Sequence, residues 1–289
     1  MGDGRQTRVV TDSLAWIPED LVRQHRLTVV PLHVNFGEEQ FTETVDLTNA
    51  EFYRRLQENK ILPKTSAPSP GEFAAAYREL AKTTDSILSV HFTSKLSATL
   101  RAAEIAAVEV RAETPGQRIE TLDTLQAAMA EGIVAIRAAE DAARGLPFDE
   151  IVANARALAP KPRILFVVET LEYLHKGGRI GRAQAFLGGL LNVKPILTVQ
   201  DGVIEPLTRE RSRSKAMARV IQYMEEHTKG RPLAHACVLH AVAEEPAREL
   251  AAMIESRFTL SRPMIFAEIG PVIGTYVGPG AFAVTFHCD

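Results

Sequence analysis

Short apolar runs alternate with longer stretches of helical period along most of the chain. Residues 8–11 read as a strand closed by Asp12-Ser13. Residues 17–26 read as a helix with Pro18 near its first turn, where a missing N–H costs little. A second strand spans 28–34, and Pro31 makes it an edge strand or interrupts it. Helical periodicity returns over 49–59, 73–81, 96–112, 126–144 and 149–158, with strands at 87–91 and 118–122 between. Ser69, with Pro70 behind it and Glu72 three residues on, forms a capping box ahead of the third helix.

After Pro160-Lys161-Pro162 the pattern changes. Strands are expected at 163–168, 195–199, 203–207, 234–241, 264–269 and 281–287, and helices at 215–228 and 246–257. Asp201-Gly202 between two of these strands is a hairpin signal. Strand–helix alternation in the first half predicts a parallel sheet, and the hairpin predicts a mixed one in the second. The expected fold class is α/β. It comprises two α/β domains, residues 1–160 with a mainly parallel sheet and 161–289 with a mixed sheet.

Composition narrows the function. The 289 residues are 46% hydrophobic and 24% charged, in the globular range. A net charge of −3 offers none of the basic surplus that nucleic-acid binding uses, so no nucleic acid is expected as partner. No apolar run approaches the roughly 18 residues of a membrane span. Met1–Arg5 lack the apolar core of a signal peptide, and Gln6 stands where a myristoylation signal has Ser or Thr. Two cysteines, Cys237 and Cys288, make no disulfide framework, so a cytoplasmic protein is expected, with Cys237 as a core residue.

Four stretches carry candidate chemistry. Thr65–Gly71 is a loop entering a capped helix, and Ser94–Thr99 follows a strand and opens another. Free N–H groups at a helix start favour a carboxylate or phosphate. Both stretches read equally as plain helix caps, with Ser94 the candidate cap of the second. Gly177-Gly178-Arg179 presents an arginine for two-pronged anion binding, or merely stops a helix. Residues 270–280, with four glycines and two prolines, are a tight ligand loop or a structural connection. Missing motifs matter too: there is no Gly-x-Ser-x-Gly elbow, no Gly-x4-Gly-Lys-Ser/Thr phosphate loop and no His-Glu-x2-His. No cofactor or metal is expected. His91 and His240 end apolar runs and read as satisfied core histidines.

In this order, the stretches resemble the DegV family, the bacterial fatty-acid-binding proteins that include the FakB subunits of fatty acid kinase. The resemblance runs from Thr11-Asp12-Ser13 through Thr65-Ser66-x-Pro68-Ser69-Pro70, Ser94-Lys95-Leu96-Ser97-x-Thr99 and Leu171–Ile180. It continues through Lys194-Pro195-Ile196-Leu197 to Gly270–Ala281. It implies a long-chain fatty acid buried between the two domains, a cytoplasmic carrier rather than an enzyme, and a fatty acid kinase catalytic subunit as partner, with transient membrane contact. By the same resemblance Thr65 or Ser66, together with Ser97, holds the carboxylate, and Arg179, Thr275 and Tyr276 lie near it. Arg182, Arg211 and Arg213 are candidates for docking the kinase. Two departures stand out: Tyr276 replaces a common histidine, and Ala127-Ala128-Met129-Ala130-Glu131-Gly132 replaces serine and glycine. The latter narrows or reroutes the acyl channel. Two other readings are a lipid-sensing regulator without kinase transfer and a hydrolase built on Ser97 or Ser66.

Overall fold

The computed structural model describes residues 6–58, 62–188 and 193–289. The expected end of the second helix at Asn59, and Met1–Arg5, lie outside them. The chain divides into two units: residues through 33 with 66–160, and residues 34–65 with 161–289.

In the first unit, four strands form a sheet in the order Thr28–Val30, Arg8–Asp12, Ser86–His91, Arg118–Asp123. Every neighbouring pair is parallel. Ser86–His91 is buried at all six positions, as a strand covered on both faces must be. Helices Pro70–Ala81 and Thr99–Glu113 share a core in which Phe73, Tyr77, Val10 and Ile87 meet the alanines 102, 103, 106 and 107. Those small residues let the two helices approach closely. Helix Met129–Ala143 packs on strands Arg8–Asp12 and Ser86–His91, and Phe148–Leu158 packs on it in turn. Of the two expectations for 28–34, an edge strand or an interruption at Pro31, the structure has the interruption: Thr28–Val30 and His33–Phe36 lie in different sheets, and Pro31 between them has no N–H for a ladder.

The second unit holds a six-stranded mixed sheet. Its order is Val203–Glu210, Lys194–Gln200, Arg163–Val167, Phe282–His287, His235–His240, Ile265–Glu268. Neighbours are antiparallel except the last pair. Asp201 and Gly202 both have positive φ, 50° and 79°, as a type I′ hairpin requires. Helices Arg213–Thr228 and Glu244–Arg257 bury Met217, Val220, Leu250 and Ile254 with Val238 and Val284 of the sheet.

Residues 34–65 were expected with the first domain but belong to the second unit. Their helix Asn49–Glu58 packs on Pro271–Val277. The Tyr53 hydroxyl donates to the Ile269 carbonyl at 2.8 Å, and the Val272 amide donates to the Glu43 carboxylate at 2.7 Å. These bonds span more than 200 residues and leave no trace in local pattern. The stretch 270–280 is likewise not a loop throughout. Pro271 starts a seven-residue helix, its fixed φ suited to the first position.

Candidate functional site

In the second unit, three predicted residues come together. The Thr65 hydroxyl, on strand Lys64–Ser66, is hydrogen-bonded to the Tyr276 hydroxyl of helix Pro271–Val277. The Arg179 guanidinium lies over the Tyr276 ring, 5.2 Å from its centre, and donates from Nη1 to the Gly177 carbonyl at 3.0 Å. All three side chains are half-buried. Two hydroxyls in one bond use one proton between them and leave the other for an outside acceptor. Arg179 adds positive charge beside it.

Glycine spacing makes this cluster possible. Gly177 has an ordinary helical φ of −74°, so its backbone would accept any residue. A Cβ there would stand 2.5 Å from Tyr276 Cδ1 and 2.7 Å from Cε1. Gly177 is therefore fixed by the ring it lets in, and the unusual dihedral belongs to Gly178 alone, at φ 70°. Thr275, also a predicted contact, is buried and donates its hydroxyl to the Pro271 carbonyl at 2.9 Å. Its only proton is committed to its own helix.

Two further predicted hydroxyls lie in the first unit. Ser66 is half-buried just before the capping box at Ser69. There Glu72 N–H donates to Ser69 Oγ at 3.3 Å, and Ser69 N–H donates to Glu72 Oε2 at 2.7 Å. Ser97 Oγ accepts from the Thr99 amide at 3.3 Å and pairs with Thr99 Oγ1 at 2.7 Å. With Thr99 donating, Ser97 keeps its own proton for an acceptor at the start of the 15-residue helix Thr99–Glu113. Ser94 does not cap this helix. Its amide faces the Asp123 carboxylate at 3.4 Å.

The three docking candidates differ. Arg182 is paired with Glu205, and Arg213 with Glu169 at 2.8 Å. Arg211 is exposed. Lys194 and Arg213 together hold the Glu169 carboxyl below its ordinary range against the opposing effect of its partial burial.

One constellation escaped sequence reasoning. Asp12 Oδ2 accepts from His91 Nδ1 at 2.8 Å, His91 Nε2 pairs with Ser89 Oγ at 2.7 Å, and the Tyr77 hydroxyl donates to Ser89 Oγ at 2.8 Å. The connectivity is that of a serine–histidine–aspartate triad. All three members are 0% exposed, and Phe73 stacks edge-on against His91. A nucleophile sealed in the core meets no substrate, so the network is structural and His91 is a satisfied core histidine. Strand alternation was the available signal: Ser89 and His91 share one face. Cys237 is fully buried, and burial pushes its thiol up. Among the described residues, no group of three or more His, Cys, Asp or Glu side chains is arranged for a metal, and no helix is long and apolar enough to cross a membrane.

Comparison with known proteins identifies the family. A family model described as an uncharacterised protein, DegV family, matches residues 6–288. A DegV domain-containing protein of Caldanaerobacter subterraneus subsp. tengcongensis is 36% identical over 279 residues, covering 96% of this chain and 98% of its own. Among solved structures, a DegV family protein from Thermus thermophilus, described for its fatty acid binding, superposes with a TM-score of 0.91 at 34% identity. The match covers 98% of this chain and all of that one. DegV from Bacillus subtilis, described as a fatty acid binding protein, gives 0.87 at 33% identity, covering 99% and 100%. With its parallel and mixed sheets shared with solved DegV structures and nearly its whole length matched by the family model, this chain belongs to the DegV family.

Proposed function

We propose that this chain binds a long-chain fatty acid as a carrier and presents its carboxylate to a partner fatty acid kinase. The observation that carries the reading is full-length similarity to two fatty-acid-binding structures at 33–34% identity. The Thr65–Tyr276–Arg179 cluster supports it with a free hydroxyl proton beside a guanidinium. Thr65, Ser66, Ser97 and Tyr276 are the proposed head-group donors. Arg211, the one docking candidate without a carboxylate partner among the described residues, is the first choice for kinase contact.

The energetics fit a lipid. Burying about fourteen methylenes at roughly 0.8 kcal/mol each gives on the order of 11 kcal/mol gross, before ordering costs. A carboxylate taken out of water must be hydrogen-bonded or it costs several kcal/mol. Tyr276 supplies a hydrogen bond but no positive charge, so the charge beside the head group comes from Arg179.

Calorimetric titration with oleate tests the reading. Thr65→Ala and Ser97→Ala are each expected to weaken binding about fivefold or more, near 1 kcal/mol, with unchanged circular dichroism. No binding of oleate by the parent protein, or an affinity in both variants unchanged from the parent's, refutes it. Acyl-phosphate formation with an added fatty acid kinase is expected to slow in Arg179→Ala and Arg211→Ala.

A further inference from the structure

The motif Thr11-Asp12-Ser13, outside the proposed head-group set, leads to a buried pair of acids. Glu131, in the first turn of helix Met129–Ala143, is 0% exposed. Its Oε1 accepts from the Thr11 hydroxyl at 3.0 Å. Its Oε2 finds no donor of good geometry. What stands beside it is a second carboxyl, Asp12, also 0% exposed. Asp12 is itself well supplied, accepting from the Leu14 amide at 3.1 Å, from His91 Nδ1 at 2.8 Å and from the Phe92 amide at 3.5 Å. The Phe92 amide also faces Glu131.

Two carboxylates cannot both be charged at contact distance in a dry core. We propose that Glu131 is a neutral acid in the folded protein, that its Oε2 proton is shared with Asp12, and that this bond pins helix Met129–Ala143 to strand Arg8–Asp12 as a pH-sensitive latch. The proton completes a one-way chain. Tyr77 donates to Ser89, Ser89 to His91 Nε2, His91 Nδ1 to Asp12, and Glu131 to Asp12 from the other side. Asp12 is the charged group that acts on Glu131, His91 faces Asp12 from the neighbouring strand, and Tyr77 beyond them feels Asp12 and Arg111. Burial first, then the Asp12 charge, drives the Glu131 carboxyl well above its ordinary range. The helix N-terminus opposes this, but its effect is small beside full desolvation.

The sign follows. Unfolded, Glu131 loses its proton near pH 4.3; folded, it keeps it to a much higher pH. Stability from this group is therefore complete below that pH and falls as pH rises, up to tenfold in the folding constant per pH unit, until the folded pair ionises. Urea unfolding of the full chain from pH 5 to 9 reads it. The folding constant of the parent is expected to fall with pH more steeply than that of Glu131→Gln, which carries a permanent proton donor in the same place. Parallel curves overturn the proposal. Infrared spectra of protein carrying ¹³C-carboxyl glutamate provide a second readout that needs no variant. A carboxylic-acid band persisting at pH 7 in the folded parent supports the latch, and its absence overturns it.

Discussion

Replacing Gly177 by alanine isolates the packing that builds the candidate site. The backbone there is helical and tolerates alanine, which by itself stabilises by about 0.4–1 kcal/mol through the unfolded chain. The new methyl, however, would lie 2.5 Å from Tyr276 Cδ1 and 3.0 Å from the Tyr173 carbonyl oxygen. Carbon atoms rest at about 3.5–4.0 Å, so the ring must retreat by roughly 1 Å. Overpacking of this size costs about 1–3 kcal/mol, and the retreat stretches the Thr65–Tyr276 bond, worth about 1 kcal/mol. The net expectation is a loss of about 1–2 kcal/mol. A double-mutant cycle decides whether the ring is the cause. Tyr276→Ala removes the obstacle, so Gly177→Ala is expected to be nearly harmless in that background, with a coupling of about 1–2 kcal/mol by urea unfolding at constant slope. Oleate affinity is expected to fall in Gly177→Ala to the level of Tyr276→Phe. Additive stability effects within about 0.5 kcal/mol refute the close-approach argument.

Two smaller predictions concern the first unit's cap and the thiols. Ser69→Ala removes the hydroxyl half of the capping box, leaving the backbone N–H bond to Glu72, and is expected to destabilise by about 1 kcal/mol in urea unfolding, with Ser69→Gly milder. With Cys237 sealed in the core and its thiol pushed up, an aromatic disulfide reagent is expected to titrate at most one thiol, Cys288, in the native protein, and two in urea. Two rapid equivalents without denaturant contradict the burial of Cys237.

Features that depend on neighbours within a few residues were readable from the chain. The capping box at Ser69, the Asp201-Gly202 hairpin and the parallel and mixed character of the two sheets all follow from local propensity and period. Pro31 announced an interruption, though not that the pieces would join different sheets. Arg179, Tyr276 and Thr65 were named as site residues through motif resemblance. Their assembly rests on a hydroxyl bond across 211 residues and a ring packed on a bare glycine.

Hydrophobic period and turn chemistry act over a handful of positions, so one strand, helix or cap can be read from its own residues. Which unit residues 34–65 join, that Glu131 stands against Asp12, and that Ser89, His91 and Asp12 form a sealed network were settled only when distant segments were brought into contact. Such choices depend on burial and on finding a partner for every enclosed polar atom, and those conditions exist only once the chain is folded.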